Sequence, residues 1–300
     1  MSSAISFLFF HYGKIPGYLA YAIEHVRIFN PDAEIQLITD SINDTSMLDR
    51  FSVSVSRVED YPSEELTRFK DTYHHLSSCD EKYERFCFER WFVTETLRRK
   101  SPEKTYVLLD SDVAVFSAAS DLLLTMPDCP ISVCGGSPHY TFVKEDISAF
   151  LNYILDSFSS PQKITELMKI SGKATTRGEN LNLNDQEFLL MFMAYSDRIQ
   201  NYESESSQGY ADANIHRPEG FECLQLRRRP RKKIVWRLEG GRAIPYFKRG
   251  DQLVKALILH FQGPGKRVFK RFNSLDGPPS SIQIWWWHQI FRTRWLSNLM

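Results

Sequence analysis

The chain reads as an α/β protein with a mainly parallel central sheet flanked by helices. Three observations carry that expectation. The apolar run Ile5–Phe10 is followed by a stretch of helical periodicity and then by the apolar run "EIQLITD", the order of a βαβ unit. A densely apolar helix around Phe86–Leu97 then delivers the chain into another apolar run, Tyr106–Leu109. That run stops at Asp110 and Asp112, which places two carboxylates at the carboxyl end of a strand, the edge where open α/β sheets bind ligands.

Each element follows from its own pattern. Ile5–Phe10 has no basic residue before it and is too short for a secretory signal, so it is expected to be a buried first strand. In "GYLAYAIEHVRIFNPD", Leu19, Ala22, Ile23, Val26 and Phe29 recur at helical spacing, and Asn30-Pro31-Asp32 closes the helix. The second strand ends at Asp40, and "SVSVSRV" alternates as a third strand or a surface strand. In "YERFCFERWFVTETLRRKSPEK" the apolar positions are too dense for a narrow stripe. Arg98, Arg99 and Lys100 suit the negative end of that helix, and Ser101-Pro102 stops it. Further on, "PISVCGG" predicts a strand, and "DISAFLNYILDSF" and "NDQEFLLMFMAY" predict helices. The polar stretches "KATTRGENLNLN" and "NYESESSQGYADANIHRPEG" read as loops, and "ALILHFQGPGK" as a strand running into a glycine loop.

Composition narrows the partners. With 300 residues the chain can bury a sizeable core, and 42% hydrophobic with 25% charged residues is ordinary for a globular protein. The 37 basic and 37 acidic residues cancel, so whole-molecule attraction to nucleic acid is not expected, and any charged partner needs a local patch. Five cysteines without a C-x-x-C pair point to a reducing compartment, without a disulfide framework or structural zinc. No segment approaches the roughly 18 apolar residues of a membrane span. The expected location is cytoplasmic, with peripheral attachment to a membrane surface open.

Three groups of residues carry candidate chemistry. Asp110-Ser111-Asp112 either caps a turn or holds a hard divalent cation, since carboxylate oxygens suit Mg²⁺ or Mn²⁺ bound together with substrate phosphate. In "HFQGPGK", His260 ends an apolar strand as a structural residue or a metal ligand, Gly263 and Gly265 let backbone approach a ligand, and Lys266 can place a charge on phosphate. In "LNDQEF", Asp185 and Gln186 open an apolar helix for which Asn184 or Asp185 would be the N-cap.

Taken together, these residues resemble the metal-dependent GT-A glycosyltransferases that use nucleotide-diphosphate sugars, and among them the glycogenin and lipopolysaccharide galactosyltransferase-like branch. The likeness rests on Arg90 in "ERWFVTE", Asp110-Ser111-Asp112, Asp185-Gln186, and His260, Gly263 and Lys266, in the family's order. Arg267 and Val268 stand where that branch usually continues Pro-Trp. The resemblance implies a Rossmann-like GT-A domain over 1–266 and a metal-dependent hexosyltransferase. Its donor would be a nucleotide sugar, UDP-linked by expectation, and its acceptor a glycan, lipid-linked or protein group. It further implies that Asp110, Asp112 and His260 coordinate Mn²⁺ or Mg²⁺. Arg90, Ser111, Gly263 and Lys266 would contact the donor, Tyr12 or Tyr18 would stack on its base, and Asp40 would bond its nucleoside. Asp185 and Gln186 would face the reacting sugar, Asp185 bonding hydroxyls or serving as base.

Two rivals are weighed. A haloacid-dehalogenase-like phosphotransferase also has D-x-D after an apolar strand, but it wants Thr or Val where Ala114 stands. A non-catalytic nucleotide-sugar or glycan-binding protein would be expected to have lost the metal residues. The segment 267–300 is expected to be a separate helical extension. Ile284, Trp287, Phe291, Trp295 and Leu299 lie at helical spacing, which suits either a membrane interface or packing on the core. The basic run "LRRRPRKKIVWR" reads as a solvated loop or a patch for an anionic lipid head group or a phosphorylated glycan acceptor.

Overall fold

The structure is a computed structural model that describes residues 4–42, 45–123, 126–176, 183–202, 205–225, 230–263 and 265–269. It opens with β1 (Ile5–His11), α1 (Gly17–Phe29), β2 (Glu34–Thr39) and β3 (Ser54–Arg57). Next come α2 (Glu64–Thr72), α3 (Glu81–Lys100), β4 (Thr105–Leu109), β5 (Val113–Val115) and α4 (Ala119–Leu123). A hairpin of β6 (Ile131–Cys134) and β7 (Ser137–Val143) precedes α5 (Ser148–Ser157), α6 (Pro161–Thr176), α7 (Asp185–Met193) and β8 (Ile199–Tyr202). All of these strands except β5 form a seven-stranded sheet in the order β3-β2-β1-β4-β7-β6-β8, with β7 the one strand running against both its neighbours. The expected α/β class and mainly parallel sheet are what the chain forms, and "SVSVSRV" supplies a true edge strand.

Period-two alternation in the strands builds a core on each face. Phe7, Phe9, Val107 and Leu109 face α1, whereas Leu8, Phe10, Tyr106 and Leu108 face α3, α5 and α7. The density of apolar residues in α3 has its cause here: Phe88, Trp91 and Phe92 pack on Phe188, Phe150 and Phe69 at centroid distances of 5.0, 5.1 and 5.0 Å. Full burial of such rings is worth about 1.5–3 kcal/mol each, which holds α3 against the sheet. Asp80 caps α3 by accepting from the Tyr83 N–H at 3.0 Å.

The second sheet departs from the sequence expectation. The stretch read as a loop at 201–220 contains β9 (Glu205–Ser206) and β10 (Gly209–Ala211). The hairpin of β11 (Cys223–Leu224) and β12 (Arg231–Lys232) follows, then β13 (Ile234–Glu239), β14 (Arg242–Arg249) and β15 (Gln252–His260). Short strands of two or three residues show no periodicity, so only their pairing reveals them: β10 on the long β15, β9 on β10, and β11 with β12. The hairpin strand β7 was also unread, because buried His139 and Thr141 interrupt its apolar run. Part of the basic run is likewise not surface: Arg231 and Lys232 are buried in β12, while 226–229 lie outside the described residues.

The chain ends its described course in α8 (Gly265–Phe269). Phe269 is buried and stacks on Phe261 at 4.7 Å, so the boundary expected between 266 and 267 falls inside a short helix packed on the core. The rest of the expected extension, with its aromatic helix, lies outside the described residues. Among the described residues no helix is long and apolar enough to cross a membrane, and all five cysteines are free.

Candidate active site

The sheet changes winding direction between β1 and β4, and both strands end at the same edge. A cleft of about 300 Å³ opens there, lined among others by Tyr12, Arg90, Asp110, Asp112, Asp185 and His260. Ligands bind at such switch points because the diverging loops leave a crevice outside the strand ends.

Strand pairing brings the two halves of the D-x-D/histidine group together. After Asp110 the chain turns and re-enters as β5, which runs antiparallel to the end of β15, pairing Val113 with His260. The Phe261 N–H donates to the Asp112 carbonyl at 3.0 Å, which locks that register. As a result one ligand atom from each of Asp110, Asp112 and His260 lies within 4.8 Å of the others. Asp110 is held from the other side, its N–H donating to the His139 carbonyl at 3.0 Å.

The donor set suits a hard divalent ion. An ion with bonds of about 2.1 Å spans ligands no more than about 4.2 Å apart, so the group must draw in by roughly half an ångström or more to share one. His260 Nδ1 lies 2.7 Å from the Ala213 carbonyl, which can only accept, so Nδ1 carries a proton and Nε2 faces Asp112 at 3.6 Å. An imidazole fixed in this way through its other nitrogen is the usual arrangement of a metal-binding histidine. Asp112 is buried, its side chain 5% exposed, whereas Asp110 is 37% exposed. Burial pushes the Asp112 pKa up, but His260 and Lys266 outweigh it and hold the carboxyl well below the usual carboxylate range.

Arg90 organises the neighbouring wall. Its Nε donates to Asp185 Oδ2 at 2.9 Å, its Nη2 bonds the same oxygen, and its Nη1 donates to Asp110 Oδ1 at 3.1 Å. Trp91 Nε1 adds a third partner to Asp185 Oδ2 at 3.1 Å. Burial works against the Arg90 charge, yet Asp185 and Asp110 more than offset it, so its pKa is raised further. Arg90 is therefore a fork that joins the D-x-D to the start of α7, with none of its three nitrogens turned solely to the cleft. Asn184, not Asp185, caps α7 by accepting from the Glu187 N–H at 3.1 Å, which leaves Asp185 to Arg90 and Gln186 to the cleft wall.

The other predicted residues are sorted by the same geometry. Tyr12, Tyr18, Ser111 and Lys266 line the cleft. Tyr12 packs edge-on against Tyr83 and at a tilt against Phe86. Asp40 is not part of the lining: its Oδ1 accepts from the Gly13 N–H at 2.7 Å and secures the loop after β1, where Gly13 has a φ of 81°. Gly263 and Gly265 do not line it either. Gly263 takes a φ of 58°, which favours glycine, and the Gly265 and Lys266 amides donate to Gln262 and Gly263 carbonyls within the turn. Those two amides serve the turn, not a ligand.

Several residues of the site escaped the sequence reading. Asp212, on the loop after β10, accepts from Lys232 Nζ at 2.6 Å and from the His260 N–H at 3.3 Å. Lys232 also bonds Glu219 and the Asn214 carbonyl, and Tyr210 donates to Glu219. His139, fully buried, stacks on His260 with centroids 4.2 Å apart and planes at 9°. Gln262, Tyr83 and Glu84 line the cleft as well. A lone histidine in a strand or a lysine in a basic run carries no sequence signal for such roles.

No protein-family model matches the chain, and no curated sequence matches it. Among solved structures it is similar to mouse xyloside xylosyltransferase 1 in its apo form, at 11% identity over 72% of this chain and 90% of that one, with a TM-score of 0.45. It is similar to the galactosyltransferase LgtC solved with donor and acceptor sugar analogues, at 10% identity over 89% of this chain and 94% of that one, TM-score 0.43. A third similarity is to the glycosyltransferase GlyE of Streptococcus pneumoniae, at 14% identity over 67% of this chain and 46% of that one, TM-score 0.36. At these identities and scores the likenesses do not by themselves assign the chain to a family.

Proposed function

We propose that the chain is a GT-A-type glycosyltransferase that moves a hexose from a nucleotide-diphosphate sugar, UDP-linked in the first instance, to a glycan, lipid-linked or protein acceptor. The observation that carries this reading is the Asp110, Asp112 and His260 cluster, which shares one cleft with Lys266 and the Arg90–Asp185 pair at the switch point of the sheet. These three residues would hold Mn²⁺ or Mg²⁺, which when bound neutralises negative charge on a departing nucleoside diphosphate.

The remaining steps belong to side chains. Lys266 faces the same place and supplies a mobile point charge for phosphate oxygens. Tyr12 and Tyr18 offer ring surfaces near the end of β1 for the base. Asp185 would orient a sugar hydroxyl or take a proton through Oδ1: all three of its described bonds fall on Oδ2, and burial raises its pKa against the pull of Arg90 and Trp91. Gln186, one residue on, is the neutral group left to face the reacting centre. The phosphatase alternative loses ground because the residue after Ser111-Asp112 enters buried β5, so Asp112 is walled in by Lys266 and His260 instead of standing free to donate a proton.

The reading is tested by incubating the full chain with Mn²⁺ and a panel of nucleotide sugars and measuring nucleotide release. Release that requires the ion and is abolished in Asp112→Asn supports it. If the folded chain neither binds nor turns over any nucleotide sugar, the proposal is wrong. A cytoplasmic location, with peripheral membrane contact, is proposed alongside it. Fractionation that finds the protein enclosed in a secretory compartment refutes that part.

A further inference from the structure

Asp112 already has a cation. Lys266 Nζ lies 3.2 Å from its Oδ2, while His260 Nε2 stands 3.6 Å from its Oδ1. A divalent ion at the cluster must therefore take Asp112 from Lys266 or share it with a like charge. Asp110 is also paired, but with Arg90, whose side chain is 7% exposed and forked between two carboxylates. Lys266 differs in every respect that governs movement. Its side chain is 41% exposed, lies over the Tyr18 ring at 5.7 Å, and follows a turn whose Gly263 adopts a left-handed φ.

We propose that Lys266 exchanges partners: it neutralises Asp112 when the cleft holds no ligand and transfers to the diphosphate when cation and nucleotide enter. Binding of the metal and binding of the diphosphate are thereby positively coupled through one side chain. This deepens the reading of Asp110, Asp112 and His260 as cation ligands and rests on it.

The physics runs in one direction. A carboxylate as buried as Asp112 needs a counter-charge, and removing its partner without replacement leaves an uncompensated buried charge. Lys266 supplies that charge in the ligand-free cleft, which weakens metal binding because the ion must displace or tolerate the ammonium. A diphosphate offers Lys266 an alternative anion within reach of its flexible stem, so the ion then meets Asp112 unopposed. Linkage makes the effect reciprocal: the factor by which nucleotide tightens metal equals the factor by which metal tightens nucleotide. Couplings of this kind usually lie in the range of about 5- to 150-fold.

The test is Mn²⁺ binding to the full chain, followed by the loss of the free-ion electron paramagnetic resonance signal, with and without UDP as the diphosphate probe. In the nucleotide-free protein, Lys266→Gln is expected to bind Mn²⁺ about 5- to 10-fold more tightly than wild type. Measured against the Mn²⁺ that UDP binds in protein-free buffer, UDP is expected to tighten Mn²⁺ binding about 5- to 10-fold more in wild type than in the variant, where only the direct attraction of diphosphate and ion remains. Lys266→Arg keeps the charge and is expected to behave as wild type in the nucleotide-free state. Lys163→Gln, which alters net charge equally at a remote pair with Asp156, is expected to change nothing. If Lys266→Gln binds Mn²⁺ no more tightly than wild type without UDP, or if Lys163→Gln has the same effect, the exchange is refuted while the metal site stands. Absence of Mn²⁺ binding in every form removes the metal site and the exchange together.

Discussion

The charges in front of His260 and those behind it use the same ingredients and end in opposite states. Behind it, Asp212, Glu219 and Lys232 form a closed set: Lys232 is fully buried, bonded to both carboxylates and to the Asn214 carbonyl, and ringed by Tyr210, Phe221 and Phe247 at 5.0–5.7 Å. In front of it, Asp110 and Asp112 face the cleft with Lys266 at the rim and ligand atoms to spare. Saturated pairing makes the first group a fixture that aims the His260 backbone. Pairing through a part-exposed lysine at the rim suits the second group to the ion proposed above. The lesson is that carboxylate count alone does not mark a site; what matters is whether the partners are permanent.

Breaking the rear group should have the largest effect on stability. Lys232→Met leaves Asp212 charged and buried without its ammonium, and the expected loss is about 3–5 kcal/mol in denaturant unfolding. If the loss is under about 1 kcal/mol, the rear group is not the fixture described. Asp112→Asn should reverse that profile, with at least a hundredfold loss of Mn²⁺ affinity and only about 1 kcal/mol change in stability, because Lys266 can relax into solvent. Calorimetric titration and unfolding on the same variant check both halves.

Arg90 lies between the two extremes and sharpens the comparison. Arg90→Lys retains a charge but cannot reach Asp185 and Asp110 together, so about 2–3 kcal/mol of stability and the alignment of Asp110 should both be lost. Stability unchanged together with full Mn²⁺ affinity would show that the fork does not organise the site. Asp110→Asn, at a half-exposed position, should cost less than about 1 kcal/mol of stability.

A pH-dependent effect comes from a histidine remote from both groups. His25 is buried against Phe116, centroids 4.6 Å apart, and burial lowers its pKa to about 4. The unfolded chain binds that proton near pH 6.5, so stability falls as pH drops from 6.5 towards 4. Between pH 7 and pH 5 the loss should be about 2 kcal/mol. His25→Leu should remove that part of the slope, measured as the change in unfolding free energy between the two pH values. An unaltered slope would mean that the proton is taken up elsewhere.

Much of the first half of the molecule was legible because long, strongly patterned segments carry their own evidence. Ile5–His11, Gly17–Phe29, Glu81–Lys100 and Thr105–Leu109 are buried on both faces or along a broad stripe, and their apolar runs say so. In the second half the apolar end of β15 was legible too, but two- and three-residue pieces such as Gly209–Ala211 were not, since they exist only through what they pair with. Within the site, Asp110, Asp112 and His260 could be named from strand ends and local motif. The partners of Arg90, the stacking of His139 and the role of Lys232 could not.

What the sequence determined by itself, then, was a parallel α/β framework and a pair of carboxylates at the end of one of its strands. Side-chain periodicity and a charge after an apolar run are local properties, readable without coordinates. Only the tertiary structure decided that β5 pairs with β15, and through that register set His260 beside Asp112. It also decided that Asp185 spends its described bonds on Arg90 and Trp91, that Asp40 secures a loop, and that Lys232 is interior while Lys266 stands part-exposed beside Asp112. Each of these depends on which group ends up opposite which after the chain has closed on itself, and that information is held by long-range pairing, not by neighbours in sequence.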